Sequence, residues 1–164
     1  MESNSYSSNY IRSPIMCGKG FCYCKSRQEI GKCKLRTNPL EKAELALLFS
    51  DKRLIASQSM FEIKKPDIGL STLSKGEKYL EIATNEEMVA RSKGYDTSEF
   101  LKKLSLSSLK HRQIIEESII SIAPEDAKPD IVKIEDYAKN SYKSARDGLN
   151  NKGMPTPIDP FDGQ

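Results

Sequence analysis

The stretch PDIVKIEDYAKNSYKSARDGL, residues 129–149, decides the fold. Its apolar positions Ile131, Ile134, Ala138, Tyr142, Ala145 and Leu149 step by 3, 4, 4, 3 and 4, the period that lines one face of an α-helix. A strand would need alternation by two, which is absent here. Pro129 and Asp130 suit a first helical turn, where a proline sacrifices no hydrogen bond and an acid meets the positive end of the helix dipole. Gly148 or Gly153 offers the stop. The spacing predicts a helix whose buried stripe includes Ile134, so Ile134→Asp is expected to be strongly destabilising.

The same texture runs back towards residue 38. Asn38, Pro39 and Glu41 read as an N-cap, a first-turn proline and a capping acid, followed by the helix-forming run EKAELALLF. Lys64, Lys65, Pro66, Asp67 and Gly69 end that segment. Ser74 is the expected cap of a second helix reaching about Lys93 and stopping at Gly94, and Asp96 with Glu99 reads as the capping box of a short third. A fourth is expected to restart at Ser105, Ser107 or Ser108, with Ile115, Ile119 and Ile122 as its buried stripe, and to end at Pro124. His111 lies on that stripe, without neighbours in sequence that would make it catalytic or metal-binding; it reads as a half-buried or surface histidine without a chemical role. The fold class expected is mainly α, a small helical domain of four or five helices over residues 38–153.

Both ends differ in texture. Residues 1–14 are rich in Ser, Asn and Tyr and read as a flexible arm. Residues 154–164 carry Pro155, Pro157 and Pro160, which exclude a helix, so an extended tail is expected. Its apolar groups Ile158 and Phe161 are read as anchors for a partner, with Asp159 and Asp162 at a wet rim, and deleting the tail is expected to leave the thermal melt nearly unchanged.

Residues 15–37 hold all four cysteines of the 164-residue chain, Cys17, Cys22, Cys24 and Cys33, spaced C-x4-C-x-C-x8-C. Four thiolates around one Zn²⁺ is the sharpest reading of such a cluster. Two disulfides and four reduced thiols are the alternatives, because the spacing is not the usual pair of C-x2-C knuckles. The segment between residues 12 and 36 also carries seven basic side chains against Glu29 alone, an excess of six, which leaves net −3 on the rest of a chain that totals +3. Basic residues Lys19, Lys25, Arg27, Lys32 and Lys34 surround Phe21 and Tyr23, an arrangement that suits phosphates and stacked bases as well as a small module's own core.

No phosphate-cradling glycine loop, dinucleotide fingerprint or nucleophile elbow occurs in the sequence. No run is long and apolar enough to span a bilayer, and MESNSYSSNY lacks the apolar segment of a signal peptide, so a cytoplasmic protein without membrane contact is expected. These features together point to a non-enzymatic accessory or assembly protein that binds protein partners through its ends and cysteine module. The alternative is a nucleic-acid-binding zinc protein that uses the basic segment.

Overall fold

The computed structural model describes residues 38–161 in full, together with the backbone of Met16–Cys17 and Gly20–Phe21. The chain divides into two units, Met1–Thr37 and Asn38–Gln164. In the first, β1 (Met16–Cys17) pairs antiparallel with β2 (Gly20–Phe21), Met16 opposite Phe21.

The second unit is mainly helical. Its elements are α1 (Pro39–Glu62), α2 (Pro66–Ser92), α3 (Ser98–Gln113), a π-helical stretch Ile114–Ile119, α4 (Ile120–Ile122) and α5 (Lys128–Asn150). α1 opens as its sequence requires: the Asn38 side chain accepts the Leu40 N–H at 3.0 Å and Pro39 takes the first position. α2 starts at Pro66 rather than at Ser74, because a proline is itself a good first helical position. Gly69 therefore lies in the first turn of α2. A Cβ there would sit 2.8 Å from the Phe61 ring, so only glycine lets α2 approach α1 this closely.

Three helix exits share one device. After α2, Tyr95 N–H reaches back to Ala90 C=O at 3.1 Å and Gly94 N–H to Arg91 C=O at 3.0 Å, with Gly94 at φ 82°. After α5, Met154 bonds Leu149 and Gly153 bonds Asn150, with Gly153 at φ 66°. Gly153 is thus the stop, and Gly148 is a packing glycine inside α5, 3.0 Å from Leu101 at the site of its missing Cβ. After α1 the same pair of bonds runs from Lys65 to Met60 and from Lys64 to Phe61, but the left-handed residue is Lys64, at φ 58°. A lysine there bears a steric cost that glycine avoids.

The expected break between a third and a fourth helix does not occur. Ser105 and Ser108 are buried, and their hydroxyls donate to Lys102 C=O at 2.9 Å and Leu104 C=O at 2.8 Å, so the turn-forming serines are satisfied within a continuing helix. Nor does Asp96 form a capping box with Glu99. Asp96 accepts the Ser98 N–H at 3.0 Å, while Glu99 pairs with Lys102 at 2.8 Å. The π-helical stretch also corrects the isoleucine stripe. Ile115 and Ile119 are fully buried, but the wider turn rotates the residues beyond it, and Ile122 is 45% exposed.

α1 packs chiefly on α2, α3 on α5, and α2 on α5. Two apolar clusters fill the interior. Leu47, Leu80, Leu104 and Ala138 belong to one, and Leu54, Leu73, Ile115 and Ile131 to the other. In each long helix the residues between those two positions include a buried polar one: Ser50, Glu77, His111 with Arg112, and Glu135. Glu135 takes the inward position that Ile134 was expected to hold, and Ile134 is only half-buried beside the second cluster. Replacing Lys64 by glycine should raise stability by up to about 1 kcal/mol, read as a higher urea midpoint at unchanged slope.

Candidate functional site

Apart from Ser50, whose buried hydroxyl has no hydrogen-bond partner among the described residues, the polar residues between the two clusters belong to two connected groups. At the centre of the first is His111, 1% exposed on α3. Its Nδ1 lies 2.6 Å from Glu77 Oε1 on α2, and its Nε2 lies 3.1 Å from Asp51 Oδ1 on α1. Ser107, one turn back on α3, donates its hydroxyl to the same Asp51 oxygen. Burial by itself would lower the imidazole pKa, but the hydrogen bonds and negative charges of Asp51 and Glu77 outweigh it and raise the value to about 9. Burial likewise pushes the Asp51 carboxyl up, and the bonds from His111 and Ser107 bring it below the ordinary carboxylate range. At neutral pH the ring is an imidazolium with both N–H groups committed. It has no lone pair to act as a base, and the expectation of a half-buried or surface position is corrected: the ring is buried and joins three helices.

The second group surrounds Arg112, the next residue along. Its Nε lies 3.5 Å from Glu135 Oε1 on α5, one terminal nitrogen 3.7 Å from Glu116, and the other donates to Asp159 of the C-terminal segment. Burial and the neighbouring Glu135 raise the Glu116 carboxyl pKa, with Arg112 and Lys139 opposing. Lys139 reaches Glu135 at 3.1 Å.

This arrangement corrects the reading of the tail. Asp159 is buried, not at a wet rim. The Phe161 ring lies under the Arg112 guanidinium, 4.6 Å from ring centre to carbon, and its N–H donates to Asp159 Oδ1 at 2.9 Å. The buried Tyr142 hydroxyl donates to Pro157 C=O at 2.6 Å. Residues 157–161 thus strap across α3 and α5, and of the two expected anchors only Ile158, 90% exposed, faces solvent.

An apolar seam lies on the outer side of the first group, between α1 and α3. Two adjoining depressions share Asp51. One is lined by Glu44, Leu47, Leu48, Asp51, Phe100 and Lys103, the other mainly by Leu54, Ile55, Leu106, Lys110 and Ile114. Residue numbers rise together on both walls, so α1 and α3 run parallel. Leu48, Ile55 and Leu106 are 47%, 52% and 58% exposed, and these fractions mark the seam as uncovered apolar surface in this unit.

Cys17 and Phe21 lie in the paired backbone of β1 and β2. Cys22, Cys24, Cys33, Lys19, Tyr23, Lys25, Arg27, Lys32 and Lys34 lie outside the described residues. Among the described residues no group of three or more His, Cys, Asp or Glu is placed to hold a metal, and no helix is long and apolar enough to cross a membrane. No protein-family model, curated protein or solved structure matches this chain.

The sequence did carry a signal for the polar layer. Glu77 stands between Leu73 and Leu80, and Glu135 between Ile131 and Ala138, each at an inward helical step. One charged intrusion at the middle of several apolar stripes is the mark of side chains that meet.

Both groups have measurable consequences. Because the folded-state pKa of His111 is raised from 6.5 to about 9, its contribution is full below pH 6.5 and disappears as pH rises through 9. Stability measured by urea unfolding should therefore fall by about 3 kcal/mol across that window, and the slope should vanish in His111→Gln. Asp159→Ala leaves Arg112 short of a buried partner and should cost about 3 kcal/mol, whereas Ile158→Ser should leave the melt unchanged. The tail is accordingly part of the folded body, and its deletion should lower the melting temperature.

Proposed function

We propose that this chain is a non-enzymatic assembly protein that binds other proteins, with the α1–α3 seam as the contact surface of its helical unit. The observation that carries this reading is the disposition of polar and apolar groups. His111, Arg112 and the carboxylates around them are spent on one another, with both nitrogens of His111 taken by carboxylates. Of the exposed large apolar side chains among the described residues, Leu48, Ile55 and Leu106 lie together along one seam. A groove between parallel helices, apolar along its floor and charged along its rims, suits a helical partner surface better than a small substrate. Ile158 offers a further apolar contact, and the cysteine-rich basic segment, holding zinc through Cys17, Cys22, Cys24 and Cys33, is a second module for the same work.

The basic excess between residues 12 and 36 supports the rival reading, in which that segment binds nucleic acid. Crosslinking in the native cells separates the two. Leu106→Glu in the full chain should reduce recovered protein partners at least about tenfold, since a charge is placed in the apolar contact, with no change in thermal melt. Recovery of nucleic acid instead, with affinity that falls steeply with salt and ignores Leu106→Glu, would establish the rival.

A further inference from the structure

We propose that the occupant of the α1–α3 seam is the same seam of a second copy, in a two-fold symmetric dimer whose axis runs parallel to α1 and α3. This rests on reading the seam as a protein-binding surface and goes further by naming the partner. The reason is self-complementarity. The exposed edge of α1 carries Glu44, Leu48, Asp51 and Ile55, and that of α3 carries Lys103, Leu106 and Lys110. Within each edge the charges are of one sign and seven residues apart; Leu48 and Leu106 lie between them, and Ile55 lies one turn beyond Asp51. Seven residues is two helical turns, so each edge is a straight stripe.

A two-fold axis along the helices lays α1 of one copy over α3 of the other without shifting either along its length. Because Glu44 and Lys103 already lie at the same level within one seam, Glu44 then faces Lys103 of the second copy, and symmetry makes the contact twice. Leu48 and Leu106 of both copies meet between the charged levels, and Ile55 extends the apolar contact beyond Asp51. The other face-to-face choice, with the axis across the helices, sets α1 on α1 and α3 on α3. It opposes acid to acid and lysine to lysine, a juxtaposition that charge disfavours. The acidic and basic rims therefore select one symmetry, and because charge pairs at an exposed rim set the fit, the association is salt-sensitive.

The test uses the full chain in reducing buffer, so that cysteines do not link copies, and reads self-association by sedimentation. Wild type should dimerise below about 1 mM, the weak end of ordinary measurable affinity. Glu44→Lys and Lys103→Glu each place two like-charged contacts in the dimer and should weaken it at least about tenfold without changing the melt. Mixing the two variants restores both opposite-charge contacts and should regenerate a dimer containing one copy of each. A wild-type chain that stays monomeric up to about 1 mM overturns self-docking. So does a dimer that ignores the reversals, or reversals that mixing fails to repair, because the contact then lies elsewhere. If self-docking fails while Leu106→Glu still strips crosslinked proteins, the seam binds a different protein; if Leu106→Glu also strips nothing, the seam is not a binding surface.

Discussion

A protonated histidine held between two carboxylates in the middle of a helical unit constrains everything around it. His111 brings a positive charge to a position that is 1% exposed, and that charge is tolerable only while Glu77 and Asp51 stand at both ring nitrogens. The three residues come from three helices. A helix that slid by one turn would move its charge into an apolar cluster and strand the other two. Apolar side chains of similar volume, such as Leu47, Leu54, Leu73 and Leu80, could trade places at modest cost if the helices slid together. The polar layer removes that freedom by making one register much better than its neighbours.

The second group extends the same logic to the C-terminal segment. Arg112 is buried beside Glu135 on α5, and Asp159 takes one of its terminal nitrogens. A guanidinium offers five N–H donors, and helices alone supply few acceptors at that point. The strap of residues 157–161 fills the gap with a carboxylate, and its Phe161 ring covers the guanidinium face. Pro157 and Pro160 keep this segment from winding into a helix, which leaves it extended enough to lie across α3 and α5. What holds it is thus charge and hydrogen bonding rather than apolar burial, as the exposure of Ile158 shows.

The helices themselves were legible in the sequence because their evidence is local. The Asn38–Pro39 start, the Gly94 stop and the period of α5 each need only a few neighbouring residues. What was missed depends on contacts across the fold. Ser105 and Ser108 favour a turn by propensity, yet packing against α5 kept α3 going and their hydroxyls turned back on its own carbonyls. The π-helical stretch inserted a residue into the isoleucine stripe, which no count of threes and fours foresees. Ile134 and Glu135 exchanged places because an apolar step was preferred to an acidic one, and the acid's partner, Arg112, is distant in sequence. For the same reason His111 looked idle: Asp51 and Glu77 lie on two other helices. Asp159 looked like a rim residue because tails are usually solvated, and only Arg112 makes it otherwise.

Asp51 shows why the layer and the seam must be read together but perturbed apart. Its side chain is 49% exposed and helps to line both depressions, so by accessibility it resembles Glu44 as a rim residue. Its oxygen is nevertheless the acceptor for His111 and Ser107, and the imidazolium cancels much of the charge it shows to the outside. Reversing Asp51 would place a positive charge against His111 and unfold the layer before it reported anything about the surface. Glu44 lies two turns before Asp51 on α1, Lys103 stands across the seam from it on α3, and both are exposed and carry the seam's charge without that duty. The acidic rim is thus anchored at one end by the core's own electrostatics, and the seam keeps its shape because the charge that defines it is also the one that fixes α1 to α3.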